Sequence, residues 1–335
     1  MNILVAGAGG YIGVPLCQNL LSCGHTVTAV DIFYFGEDKI AHLRTANNIR
    51  IITADIRSVE ASVFEGVDVV IDLAGLSNDA AADHHYSEAE SINYRGCLRL
   101  AGISKAAGVR RFIYSSSASV YGAGENRLLS EASSTHPISL YAKLKLKTEA
   151  ALLSQYSDSM GVVILRNPTL FGLSSRMRFD LALNVMTSTA IRKKQVTVHG
   201  DGGQWRPMVS VQDVVDAFTG VTNASANLVT GEIFNVGGRS SNIRIVELAE
   251  LIRSLLPDIH IKFEPVKSDN RSYHLTFEKI YTRIGFKPIV SHSEGILSIS
   301  QAIKTGEINP ADPTYYTASW YESQVFHHQP GKNHP

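Results

Sequence analysis

The chain has 335 residues, 44% of them hydrophobic and 19% charged. That size suits one large α/β unit, or a cofactor domain with a smaller companion, around a sizeable core. Lysine and arginine total 31 and so do aspartate and glutamate, which excludes the global charge signature of a nucleic-acid or anionic-membrane binder while leaving room for a local anion pocket.

From the N-terminus, short apolar runs at Asn2–Gly7, Thr26–Asp31, Ile49–Asp55, Val67–Ala74, Arg111–Ser116 and Val162–Arg166 read as buried parallel strands. Amphipathic stretches at Tyr11–Cys23, Ser87–Ala107 and Ser139–Tyr156 read as the helices between them. Alternating β and α units predict a doubly wound parallel sheet. After about residue 172 the rhythm changes. Helix candidates at Phe179–Lys193, Val211–Thr222, Ile243–Leu255 and Phe277–Ile284 mix with brief strands such as Gln195–His199 and Glu232–Val236. The expected layout is a dinucleotide-binding domain with the catalytic residues over 1–172, a mainly α+β substrate-binding region over 173–310, and a tail over 311–335 that adds little to the core.

Cys17, Cys23 and Cys97 form neither a CxxC pair nor a metal-ligand spacing, so they read as reduced intracellular thiols. The adjacent His84 and His85 have no third ligand at metal spacing, and no metal is expected. No apolar run reaches the ~18 residues of a membrane span. The N-terminus lacks the basic start of a signal peptide. The expected location is the cytoplasm, with no membrane or nucleic-acid partner.

The first strand enters Gly7-Ala8-Gly9-Gly10-Tyr11-Ile12-Gly13. Glycines at 7, 10 and 13 allow a tight turn, a close approach of backbone to a pyrophosphate, and a helix N-terminus with free N–H groups facing it. The second strand ends in Asp31, whose carboxylate can accept hydrogen bonds from an adenosine ribose, and no arginine follows to hold a 2′-phosphate. That pattern favours NAD over NADP. Asp55, at the end of the third strand, suits an adenine amino group or a plain turn.

Tyr141 and Lys145 lie four residues apart on one helical face. A tyrosine with its ordinary pKa of about 10 becomes usable for proton transfer when a neighbouring ammonium favours the phenolate. Ser115, Ser116 and Ser117 end a parallel strand, where open α/β sheets bind ligands.

The glycine loop, Leu73-Ala74-Gly75, Asn93, the strand Ser115-Ser116-Ser117-Ala118-Ser119-Val120-Tyr121-Gly122 and the Tyr-x-x-x-Lys pair occur in that order. Together, over roughly residues 1–290, they resemble the extended short-chain dehydrogenase/reductases, the NAD-dependent epimerase/dehydratase family. The resemblance implies a Rossmann fold and NAD as cofactor, with contacts from Gly7, Gly10, Tyr11, Ile12, Gly13, Asp31, Asp55, Ile56, Leu73, Ala74, Gly75, Ser115, Tyr141 and Lys145. It implies a catalytic Ser117, Tyr141 and Lys145, supported by Asn93. Ser117 would orient a sugar, Tyr141 shuttle the proton, and Lys145 lower the tyrosine pKa while bonding the nicotinamide ribose. A nucleotide-diphosphate sugar would meet Ser117, Thr169, Asn184, Arg206 and Arg271. Thr169 and Phe171 stand where the family commonly has asparagine and tyrosine. Arg176-Met177-Arg178-Phe179-Asp180 either lines the pocket or forms a solvated helix start. Family members are often homodimers built on the helices flanking the catalytic one.

Sugar dehydratases of the family carry an Asp-Glu pair after the active-site Ser/Thr, and the decarboxylases usually keep the glutamate. This chain has Ala118 and Ser119 there, which speaks against both. Two redox readings remain: a 4-epimerase that keeps its NAD, and an NAD(P)H-dependent reductase of 4-keto sugars. Asp31 tips the expectation toward the epimerase. A third reading, a dinucleotide sensor without turnover, conflicts with the presence of the Tyr–Lys pair and the arginines.

Overall fold

Strand β1 (Asn2–Ala6) sends Ile3 and Val5 into one buried cluster and Leu4 and Ala6 into another. Both of its faces are therefore covered, as a central parallel strand requires. The computed structural model describes residues 1–77, 82–83, 85–123, 127–265 and 272–326. The further strands are β2 (Thr26–Asp31), β3 (Ile49–Thr53), β4 (Val69–Asp72), β5 (Arg111–Ser117), β6 (Leu128–Leu129) and β7 (Gly161–Asn167). Then come β8 (Thr169–Phe171), β9 (Gln195–His199), β10 (Trp205–Ser210), β11 (Ile233–Asn235), β12 (Asn242–Arg244), β13 (His260–Glu264) and β14 (His274–Leu275).

Seven of these form one sheet in the order β11-β7-β5-β4-β1-β2-β3, and each pairing is parallel. The Rossmann doubly wound fold is thus present. The order reverses between β1 and β4, and the crevice at such a switch point is where open α/β sheets take ligands. Smaller sheets lie outside: β8 beside β10 and β12, and the pairs β9–β13 and β6–β14.

The long helices follow local capping. Ser139 accepts from Ala142 N–H and opens the helix Leu140–Tyr156, and Ser210 does the same through Asp213 N–H for Val211–Asn223. The stretch anticipated as one helix over 87–107 is helical throughout, but a π-helical turn at Ser91–Gly96 joins its two α segments, Tyr86–Glu90 and Cys97–Ala106. A helix absent from the expectations, His292–Lys304, packs on Ala182–Lys193 and Ile245–Leu255.

Three expectations about the second half of the chain need correction. The run expected at Glu232–Val236 in the smaller region is β11, the edge strand of the main sheet. The helix Val211–Asn223 also belongs to the sheet layer. It bonds the first helix through Asn19 and Asp216 at 3.1 Å, and the buried Arg111 of β5 donates to its C-terminal carbonyls at Val221 and Thr222. The stretch beyond Pro310 also differs from its expected minor role. Tyr315, Thr317 and Tyr321 are buried: Tyr315 packs edge-on to Phe179, Thr317 accepts from Arg176, and Tyr321 packs on Tyr34 and Phe35 of an apolar loop, Ile32–Phe35. Cys17 and Cys97 are buried, Cys23 is exposed, and all three are free. Among the described residues no helix is long and apolar enough to cross a membrane.

Under the C-terminal end of the sheet lies one buried ion pair. Glu149, from the helix Leu140–Tyr156, meets Arg166 of β7 at 2.6 Å, with side chains only 2% and 4% exposed. Ser116 donates to the same carboxylate, and Arg166 donates onward to the Tyr121 hydroxyl. Glu149→Ala would leave a buried, unpaired guanidinium, so it should lower the unfolding free energy by about 3–5 kcal/mol. The double replacement Glu149→Leu with Arg166→Met should restore part of that loss in chemical denaturation.

Candidate active site

The turn after β1 and the loop after β4 meet at the switch point. Gly7 has φ +81°, and a Cβ there would stand 2.8 Å from the backbone nitrogen of Ala74. A Cβ on Gly13 would stand 2.2 Å from the Gly7 carbonyl oxygen. Only glycine lets the turn, the loop and the first helix Gly13–Ser22 approach this closely. That helix opens without a side-chain cap and with no acidic residue in its first turn; Val14 N–H already bonds the Gly10 carbonyl at 3.2 Å, so the helix start offers the cleft chiefly the positive end of its dipole.

The cleft here has room of about 970 Å³, its solvent-open mouth included. Gly7, Gly10, Tyr11, Ile12, Gly13, Asp31, Asp55, Ile56, Leu73, Ala74 and Gly75 all line it. Asp31 accepts from Gly9 N–H at 2.9 Å and from Phe33 N–H at 2.7 Å. Burial nonetheless raises its pKa above the ordinary value. Asp55 is gripped by Arg57, with Nε to Oδ1 at 3.0 Å and to Oδ2 at 2.9 Å. Its carboxyl stays below the usual range, because bonds to Arg57 outweigh the burial that acts the other way. Tyr11 turns its ring inward, donating to the Gly172 carbonyl at 2.6 Å and accepting from Asn184 Nδ2 at 3.1 Å.

Ser115, Ser117, Tyr141 and Lys145 stand beyond this cleft at the end of β5 and the start of the helix Leu140–Tyr156. Lys145 is 5% exposed. Its ammonium donates to the Ser115 carbonyl at 2.6 Å, and it lies 4.6 Å from the Tyr114 ring centre and 5.7 Å from that of Tyr141. Burial lowers its pKa, partly offset by Asp72. Tyr141 sits in the first turn of a 17-residue helix, where the positive end of the helix dipole favours a phenolate, as the ammonium does.

The three serines at the end of β5 are used differently. Ser115 accepts from Asn167 at 3.0 Å, and Ser116 is spent on Glu149. Ser117 accepts from Ser119 N–H at 3.2 Å and from Ser119 Oγ at 2.9 Å, so its own O–H is left to donate outward. Asn93, in the π-helical turn, accepts from Leu76 N–H at 2.7 Å and donates to Leu76 O at 3.1 Å. Both ends of its amide therefore hold the loop after β4 in place, a role suited to a π turn, which recurs at functional sites.

On the substrate side, Thr169 lies half-buried in β8, level with Met208 of β10. Phe171 faces the core beside His292, at 5.3 Å between ring centres. Asn184 is fully buried, accepting from Gly172 N–H at 3.0 Å and donating to the Arg178 carbonyl at 2.9 Å. Arg206, on β10, donates to the Trp205 carbonyl at 3.0 Å. Arg271 and His84 lie outside the described residues. Arg176 and Arg178, left open above, both line the cleft, Arg178 paired with Asp180 at 2.7 Å. Tyr34, Phe35 and Tyr321 also line it and were not anticipated. The apolar run after Asp31 was a signal for the first two; nothing local marked Tyr321.

A parallel sheet, a glycine turn at its switch point, a strand-end aspartate and a Ser–Tyr–Lys set define a nicotinamide-dinucleotide oxidoreductase scaffold. The model of the NAD dependent epimerase/dehydratase family matches residues 3–237, and the chain belongs to that family. It is 29% identical over 313 residues to an uncharacterised UDP-glucose epimerase, YtcB, of Bacillus subtilis, covering 88% of this chain and 96% of the other. It is 28% identical over 309 residues to a UDP-N-acetyl-alpha-D-glucosaminuronate decarboxylase of Bacillus cytotoxicus, covering 89% and 90%. The UDP-glucuronic acid 4-epimerase of Bacillus cereus, solved with UDP-glucuronic acid and NAD, superposes with a TM-score of 0.81 at 26% identity, covering 91% of this chain and 99% of that one. The site fits the family's cofactor: a glycine cradle that any Cβ would fill, an uncapped helix start, and a carboxylate at the end of β2.

Gly13→Ala should weaken NAD binding by more than about tenfold, or 1.4 kcal/mol, because backbone atoms on both sides cannot yield to the added carbon. Calorimetry on the purified variant checks this.

Proposed function

We propose that the chain is an NAD-dependent epimerase of a nucleotide-diphosphate sugar, inverting C4 through a transient 4-keto sugar. The observation that carries this reading is the set of proton-moving groups where β5 meets the helix Leu140–Tyr156. They are Tyr141 and Ser117, backed by the buried Lys145, while Ala118 and Ser119 follow Ser117 in place of carboxylates. Such a set moves one proton to and from one oxygen. It lacks the paired acid and base that elimination of water demands.

NAD, held at the glycine turn and Asp31, would supply a hydride acceptor and donor for the sugar carbon. Ser117 directs its O–H at the sugar oxygen and fixes the hydroxyl beside Tyr141. The Tyr141 phenolate, favoured by Lys145 and by the helix N-terminus, takes the hydroxyl proton as the carbon is oxidised. It gives the proton back when the opposite face is reduced. Lys145, held to the Ser115 carbonyl, lies beside the Tyr141 ring. Asn93 keeps the loop after β4 in register with the glycine turn. On the sugar-nucleotide side, Arg206 holds diphosphate oxygens as a planar multi-donor cation, with Arg271 as a second clamp. Thr169 lies at that end of the site, and Asn184, its amide spent on Gly172, Tyr11 and Arg178, supports it from within the fold. The relatives' UDP-sugar substrates support a uridine nucleotide.

The test is made on freshly purified protein: any bound dinucleotide is released and identified, then UDP-sugars are screened with and without added NAD(P)H. Near-stoichiometric NAD with sugar interconversion and no net absorbance change is the expected result. NAD(P)H consumed only with a 4-keto sugar would make the protein a reductase instead. Tyr141→Phe should cut turnover by about 100- to 10,000-fold while NAD and UDP-sugar binding persist. Arg206→Ala should weaken UDP-sugar binding by more than about 1 kcal/mol, read by calorimetry against UDP.

A further inference from the structure

One cation in the dinucleotide cleft is not accounted for by the fold. Arg176 is only 2% exposed, the largest side chain buried so deeply. Its terminal nitrogen donates to Thr317 Oγ1 at 2.9 Å, its guanidinium lies 3.7 Å from the Phe35 ring centre, and its Nε has no hydrogen-bond partner. Among the described residues no carboxylate pairs with it. The other arginines of the region are neutralised: Arg57 by Asp55 and Arg178 by Asp180. Asp31 acts on Arg176 through space, but its two oxygens accept from Gly9 and Phe33 N–H.

Taking a guanidinium out of water without an anion is costly, and burial together with neighbouring Arg178 pushes its pKa down to about 10. It remains charged at neutral pH. The same cleft contains the start of the helix Gly13–Ser22, which has neither a capping side chain nor a first-turn acid. Two electropositive groups thus line one cavity; Asp31 and Asp180 act on Arg176 only through space, and no carboxylate side chain caps the helix start.

We infer that Arg176 is the counter-ion of the dinucleotide's pyrophosphate, and that the segment from Thr317 to Tyr321 belongs to the cofactor site because it holds Arg176 there. The ligand chemistry is a nucleoside diphosphate ester, gripped between the helix start and a side chain that arrives from beyond β8. The segment is well anchored for this work. Thr317 is fully buried, Trp320 Nε1 donates to the Tyr34 carbonyl at 2.7 Å, and Tyr321 packs on Phe35 with ring centres 5.2 Å apart. The inference goes beyond the proposed reaction and holds whichever sugar the enzyme takes.

The full-length chain, stripped of dinucleotide, is compared with Arg176→Met, which keeps the contact with Phe35 and loses the charge. Binding of NAD, NADP, ADP and adenosine is followed by calorimetry, and unfolding without ligand by thermal melting. Arg176→Met should weaken NAD and ADP by about tenfold or more, the scale of one charge-assisted contact, and leave adenosine within about twofold. Without ligand, the variant should melt no lower than the wild type, since an unpaired buried charge has been removed; only the rise in Tm given by NAD should shrink. Thr317→Val should weaken ADP in the same direction by a smaller factor. Equal losses for ADP and adenosine would overturn the inference, making Arg176 a wall of the cleft and no more. So would unchanged ADP affinity, a loss confined to NADP, or an unliganded variant that melts several degrees lower. A wild-type chain that binds adenosine as tightly as ADP would overturn it before any variant is made.

Discussion

Everything at this site depends on how closely two backbone turns approach each other at the point where the strand order reverses. The turn after β1 and the loop after β4 come together at Gly7 and Ala74, with no room for a side chain on the first. The first helix comes equally close behind Gly13. This contact places an unneutralised helix start beside the floor of the cleft. It also fixes the loop after β4, which Asn93 then clamps from the π turn and Asp72 from below through Ala74 N–H at 3.0 Å. A substitution that moved the backbone here would shift the cofactor's phosphate seat and the Asn93 support together.

The second organising feature is the placement of buried charge. Arg166 and Glu149 neutralise each other, and through Ser116 and Tyr121 they tie β5, β7 and the helix Leu140–Tyr156 into one unit. One helical turn earlier, Lys145 has no such partner at contact distance. It spends its bond on a neutral carbonyl and faces aromatic rings. A lysine paired with a carboxylate would have its charge largely cancelled for any neighbour. Held against neutral groups, it keeps its field available to the Tyr141 oxygen. The fold thus keeps the paired charge apart from the one that bonds a neutral carbonyl.

The sheet and its cleft were legible in the sequence because both are local. Thr26–Asp31 and Gln195–His199 have the same bounds in sequence and structure, and the eleven cleft residues read from the glycine turn, Asp31, Asp55 and Leu73–Gly75 all line one cavity. What escaped depends on long-range packing. The run at 232–236 carries the same apolar signal whether it edges the main sheet or a small one; only its pairing with β7 decides. The segment beyond Pro310 read as a tail because Pro, His and Lys crowd its end, while Tyr315 finds Phe179, Thr317 finds Arg176, and Tyr321 finds Tyr34 and Phe35, all distant in the chain. Asn184 was read as facing the substrate, yet its amide is engaged by Gly172, Tyr11 and Arg178. No spacing rule predicts which polar side chain of a helix turns inward.

The return of the C-terminal segment bears on how the enzyme handles its cofactor. Trp320 and Tyr321 pack on the loop Ile32–Phe35, directly after the aspartate that suits the adenosine ribose. Releasing a dinucleotide through this side would expose aromatic surface and break the Trp320 bond, while the glycine turn and the loop after β4 close the opposite side. Each such contact raises the barrier to exchange without changing the hydride step. A reductase must exchange its cofactor at every turnover, so these contacts would slow it. An epimerase regenerates its cofactor in place and gains from the same contacts a site shielded from water. On the proposed reading, these contacts and Asp31 favour the same side of the choice, from residues that take no part in the proton transfer.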